Sequence, residues 1–174
     1  AQAGAGAQLD NAVLVDNPDG TQFGGGNLVV SVAGATADDN LVIVQTSLVT
    51  VVGNQIFHNG YLFAEIVSDG SAGSALQINL LSLASTPRVN DLIEAIHYQS
   101  TSPAAGSTTI DYALTDAELE TVSQSLALTI TGSQAPTISG LNTTPSINAA
   151  QPGAGAMRDK RVRVVNPERA RFGE

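Results

Sequence analysis

Between residues 27 and 131 the apolar positions recur with a period of two. Leu28, Val30 and Val32 alternate with Val29 and Ser31, and Leu76, Ile78 and Leu80 alternate with Gln77 and Asn79. Ile110, Tyr112 and Leu114 follow the same rule, as do Leu126, Leu128 and Ile130. Successive side chains of a strand point to opposite faces, so each run predicts a strand with one buried face and one polar or small-residue face. The continuous run Leu41-Val42-Ile43-Val44 suits a strand buried on both sides. Asn59-Gly60, set between Ile56-Phe57-His58 and Tyr61-Leu62-Phe63, is a strong hairpin signal because both residues tolerate positive φ. Gly53-Asn54 and Ser68-Asp69-Gly70 mark two further reversals. Eight or nine short strands punctuated in this way predict an all-β, antiparallel β-sandwich.

One segment breaks the period. Thr86 can cap a helix and Pro87 suits its first position, where a missing N–H costs nothing. Val89, Leu92, Ile93 and Ile96 follow at helical spacing, which predicts a short covering helix over about 87–97. The small-residue stretches Ala3-Gly4-Ala5-Gly6-Ala7 and Gly153-Ala154-Gly155-Ala156 bury little area against their ordering entropy and read as extended termini or linkers. The expected organisation is an N-terminal arm over 1–12, a sandwich over 13–132, a Pro/Gly/Ala-rich linker over 133–157 and a basic C-terminal arm over 158–174.

Charge sharpens that division. Residues 1–157 hold one basic and 13 acidic side chains, a net −12, whereas residues 158–174 hold six basic and three acidic, a net +3. An arm opposite in sign to its own body suits a neighbouring copy of that body. Within it, Arg161-Val162-Arg163-Val164-Val165 alternates cations with β-branched residues, the pattern of a strand that needs a sheet edge, on its own domain or on the next subunit.

The absence of cysteine removes disulfides and thiolate metal sites. No run approaches a membrane span. Acidity disfavours nucleic acid as a partner of the body, and the tail lacks aromatic platforms for single strands. Ala1 in place of Met suits an exported chain relieved of its signal, and a piece cut from a longer protein would look the same.

From Asp16 to Asp116 the chain resembles the Ig-like, cadherin-like tandem repeats of large bacterial exported proteins, including RTX-type adhesins. The stretches that carry the resemblance are, in order, Val15-Asp16-Asn17-Pro18-Asp19, Gly25 to Val32, Ala37-Asp38-Asp39-Asn40 to Ile43, Ala84-Ser85-Thr86-Pro87, Leu92 to Tyr98, and Tyr112 to Asp116. The resemblance implies a structural or adhesive module at a bacterial surface, commonly stiffened by Ca²⁺. Asp16 and Asp19, with Asp116 and Glu118, are the candidate ligands, Glu120 lying close by. Asn17 and Ala117-Glu118 depart from the family pattern, in which an acid is frequent at the first position and Gly-Asp at the second. Asp38-Asp39 suits a turn cap rather than a ligand.

Catalytic signals are poor. His58 precedes a hairpin turn, His97 falls at the expected helix end, and neither has a partner assignable by spacing. Gly24-Gly25-Gly26 lacks the helix and Lys-Ser/Thr pair of a phosphate loop and suits a bulge or a close backbone approach. The expectation is therefore no enzyme, but a subunit of an extracellular filament that assembles head-to-tail with copies of itself. A calcium-stiffened adhesin repeat is the alternative. A carbohydrate-binding module, with other surface proteins or glycans as partners, is the weaker one, since 3 Tyr, 4 Phe and no Trp provide little stacking surface.

Overall fold

The structure is a computed structural model that describes residues 6–18, 20, 22–101 and 106–131, and beyond these the strand backbone of 137–139 and 163–165. The chain forms two compact units, residues 1–131 and 132–174. In the first, β1 (Ala7–Gln8), β2 (Asn27–Val32), β3 (Asp39–Ile43), β4 (Val49–Val52), β5 (Gln55–His58), β6 (Tyr61–Asp69) and β7 (Leu76–Leu80) precede α1 (Thr86–Glu94), the one helix among the described residues. β8 (Ile96–Ser100), β9 (Gly106–Thr115) and β10 (Thr121–Ile130) complete it. In the second, β11 (Thr137–Ser139) pairs antiparallel with β12 (Arg163–Val165).

The first unit is an all-β sandwich. A seven-stranded sheet in the order β10-β9-β2-β7-β6-β5-β4 faces a three-stranded sheet in the order β1-β8-β3, and every pairing is antiparallel. The alternating residues meet in one core: Leu28, Ile78, Phe63 and Ile110 come from the large sheet, Leu41 and Ile96 from the small one. Burying each such side chain contributes ~1.5–3 kcal/mol relative to leaving it in water. The run Leu41–Val44 is less covered than expected, with Leu41 buried and Val42 to Val44 half-buried.

Turn chemistry sets the register. Asn59 and Gly60 have φ of 50° and 80° and place His58 opposite Tyr61, the two-residue hairpin their side chains permit. Gly26 lies so close to β9 that a Cβ there would stand 1.9 Å from the Thr115 carbonyl oxygen. The glycine run thus marks a close backbone approach.

The helix is shorter than expected and starts one residue earlier. Its N-cap is Ser85 rather than Thr86, with Pro in the first turn, and Val89, Leu92 and Ile93 are its buried face. It ends at Glu94 because Ile96 and Tyr98 are buried on either side of half-buried His97, and pairing with Val42 and Ile43 overrides the helical spacing. On the same strand, the Tyr98 hydroxyl donates to Asp39 Oδ1 at 2.5 Å, while the Thr36 N–H and hydroxyl donate to Oδ2 at 2.8 and 2.9 Å. Burial pushes the Asp39 pKa up, and the bonds from Tyr98, Thr36 and Ser100 outweigh it, holding the carboxyl below its ordinary value. Asp39 is the turn cap its position suggests.

The residues expected as an N-terminal arm include Ala7 and Gln8, which pair with Tyr98 and His97, and Leu9, which is buried against the core. No helix among the described residues is long and apolar enough to cross a membrane.

Candidate functional site

Two recesses adjoin on the β9–β10 side of the sandwich, and the acids singled out by the sequence border the smaller. Asp16, Asp116 and Glu120 line a depression of about 150 Å³ together with Asn17, Pro18 and Phe23. Glu118 is exposed and is not part of the lining, and Asp19 lies outside the described residues. Asp116 is only 7% exposed, and its Oδ1 accepts the backbone N–H groups of Glu118 and Glu120, each at 3.0 Å. That oxygen organises the β9–β10 loop, where Leu119 takes a φ of 68°. Among the described residues no three His, Asp or Glu side chains converge as a metal-binding group.

The histidines lie elsewhere. His58 Nε2 stands 2.6 Å from Asp91 Oδ2, so His58 does have a carboxylate partner, hidden from spacing by 33 residues. Its Nδ1 faces the Asn59 amide at 3.4 Å and its ring stands edge-on to Phe63. The hydrogen bonds of its ring go to Asp91 and Asn59. The His58–Asp91 pair ties the β5–β6 hairpin to α1. His97, on the central strand of the small sheet, faces Gln8 and Val42 in register.

The larger recess is an apolar slot of about 420 Å³ between the N-terminal segment and the inner face of β9 and β10. Val13, Leu14 and Val15 form one wall, Val122, Gln124 and Leu126 of β10 another. Val13 and Val15 turn to the core and their N–H groups bond Glu94 Oε1 and Asn90 Oδ1, which leaves Leu14 between them 91% exposed. Tyr112 also lines the slot, and its buried hydroxyl has no hydrogen-bond partner among the described residues. Burial, with the negative charge of Asp10 adding to it, pushes the Tyr112 pKa up to about 12.

Beside the slot runs the outer edge of the large sheet. β10 pairs with β9 over ten residues in unbroken register, from Thr121 opposite Thr115 to Ile130 opposite Gly106. On its other side it has no strand among the described residues. Val122 is 54% exposed.

Of the expected assembly residues, Arg161 and Val162 lie outside the described residues. Arg163, Val164 and Val165 form β12, opposite Ser139, Ile138 and Thr137 of β11. Among the described residues neither strand of this ribbon pairs with a third.

Comparison with models of protein families, with curated proteins and with solved structures finds no match.

Sequence reasoning passed over the slot. Its one signal was the apolar triplet Val13-Leu14-Val15 outside any period-two strand; the rest depends on apposing that segment with β9 and β10, about a hundred residues later.

Proposed function

We propose that this chain is a non-enzymatic structural module, exported by a bacterium, that assembles with copies of itself into a surface or matrix filament by strand addition through its basic C-terminal segment. The observation that carries this reading is the ribbon. Its basic-tail strand β12 has extended backbone and, among the described residues, is paired on one side, to β11. Two-stranded pairings are marginal in water, and a further strand beside one stabilises it. The +3 segment and the −12 remainder of a neighbour attract, which speeds encounter, while apolar burial contributes most of the affinity. Removing residues 158–174 should abolish assembly, seen by negative-stain microscopy and sedimentation, and leave a cooperatively folded sandwich. A full chain that stays monomeric at high concentration, or a truncated one that assembles normally, would sink the proposal.

The depression at Asp16, Asp116 and Glu120 favours a second reading, a calcium-stiffened repeat of a large adhesin. The fit is incomplete, because Ca²⁺ takes six to eight oxygens and one Asp116 oxygen already serves the loop. Stabilisation by ~2.7 kcal/mol is expected at 100-fold excess over the dissociation constant. Equal melting temperatures with calcium and with chelator, in native chain and in Asp116→Ala, would eliminate it.

A further inference from the structure

We infer that the acceptor for the basic terminal strand is the β10 edge, with the slot beside it, on a second copy of this chain; this rests on the strand-addition reading above. Four strands end the two sheets, and three make poor acceptors. β1 has two residues and β4 has four. β3 is already occupied: the Leu41 N–H bonds the Gly70 carbonyl and the Asp39 carbonyl accepts from Gly73. β10 has ten residues, and among the described residues none of its backbone groups bonds outside the ladder with β9. Natural edges are blunted by charge, proline, bulges or brevity. Thr-Val-Ser-Gln-Ser-Leu-Ala-Leu-Thr-Ile has no charge and no proline, and its register carries no bulge.

The slot fits this occupant in polarity and sign. In sequence Lys160, Val162 and Val164 alternate with Arg161 and Arg163, so a strand continued through them would carry an apolar face and a cationic one. Set beside β10, the valines enter the slot lined by Val122, Leu126 and Leu14, while Lys160 approaches Asp10 and Asp16 at its border. The arginines then cross the outer face of the sheet, where Asp111 accepts from Ser125 at 2.5 Å. No Lys or Arg lines the slot among the described residues, so nothing there repels the incoming cations. β12 keeps its β11 partner throughout, because it offers β10 the edge on which no described strand lies.

The test uses two full-length variants. Val122→Lys with Gln124→Lys places like charge in the acceptor at two exposed positions, and Val162→Asp with Val164→Asp spoils the donor. Assembly by the acceptor variant should weaken by ~100-fold or more, measured by sedimentation, with its thermal unfolding still cooperative. Mixed in equal amounts, the variants should form heterodimers and stop, since only one intact donor and one intact acceptor remain per pair. If the donor variant fails to assemble while the acceptor variant polymerises like the native chain, strand addition stands and β10 is not its acceptor. If both assemble normally, strand addition falls and the inference with it. Absence of heterodimer from two folded variants, as a β10-to-β10 contact would give, also overturns it. Because the native sequence has no cysteine, Gln124→Cys in one chain and Val164→Cys in another, both on the slot-facing side, provide an independent check that does not rely on the lysine variant folding. A disulfide between the two is expected in assembled material, and its absence there would exclude the β10 acceptor.

Discussion

At one end of the seven-stranded sheet β4 offers four residues, next to strands whose registers shift at Ile56/Phe57 and Ile66/Ser68. At the other end β10 offers ten, continuous with β9 and flanked by an apolar slot. Bulges add twist and a short edge leaves few open rungs, so the β4 side limits growth of the sheet. The β10 side carries none of these safeguards. Two edges of one sheet, built from similarly β-prone residues, therefore differ in what they admit, and the difference lies in length and register more than in composition.

The contrast can be broken most severely at Gly26, which holds β2 against the β9 end of the sheet. Gly26→Ala would drive a methyl into the Thr115 carbonyl, with backbone on both sides of the clash. A loss of ~3 kcal/mol or more is expected in urea denaturation, in the range of severe overpacking. A loss under ~1 kcal/mol would mean the two strands separate easily and β10 rests on a soft support.

A smaller effect should appear in alkali. The folded state holds the Tyr112 proton more tightly, with the pKa raised from 10.0 to about 12. The contribution of this group to stability is therefore complete below pH 10 and lost as pH rises toward 12. Thermal melting should fall across that window, and Tyr112→Phe should flatten the fall, leaving a remainder from Tyr98, whose pKa is raised by burial and by its bond to Asp39. Asp10→Asn should bring phenolate formation to lower pH. An unchanged slope in Tyr112→Phe would show that the slot is wetter than its geometry implies.

Least affected should be the β4 edge. Val52 is 66% exposed, so Val52→Lys should change stability by no more than ~0.5 kcal/mol and leave assembly untouched. If it impairs assembly as strongly as Val122→Lys with Gln124→Lys, the two edges are equivalent and the contrast dissolves.

The strands were legible because a half-buried sheet writes its face into every second residue, and Asn59-Gly60 permits one hairpin geometry. The end of α1 was not, because Leu92, Ile93 and Ile96 satisfy a helical period while Ile96 and Tyr98 satisfy a strand period. β8 won through its ladder with β3, a long-range pairing no local window contains. Ala7–Gln8 has no apolar pattern at all; the free side of β8 imposes its extended form. Asp116 was legible as a loop acid and candidate ligand; the bonds its Oδ1 accepts from the Glu118 and Glu120 N–H groups, which build the turn, were not. The His58–Asp91 pair and the slot each join segments remote in sequence, so their signals were the residue types alone.

The two-rung ladder of β1 has a mechanical consequence. Under tension applied through the N-terminal end, Ala7–Gln8 is a clasp of two rungs, and among the described residues the next backbone-to-backbone bond from this segment to a remote one is the Phe23 N–H on the Ala84 carbonyl, at 2.7 Å. Peeling residues 7–22 would release roughly 50 Å of slack, at ~3.4 Å per residue, while the β2–β9–β10 ladders stay closed. The first unit would thus carry its own shock absorber, a short tether that gives up Leu9, Val13 and Val15 from the edge of the core before the main ladders bear load.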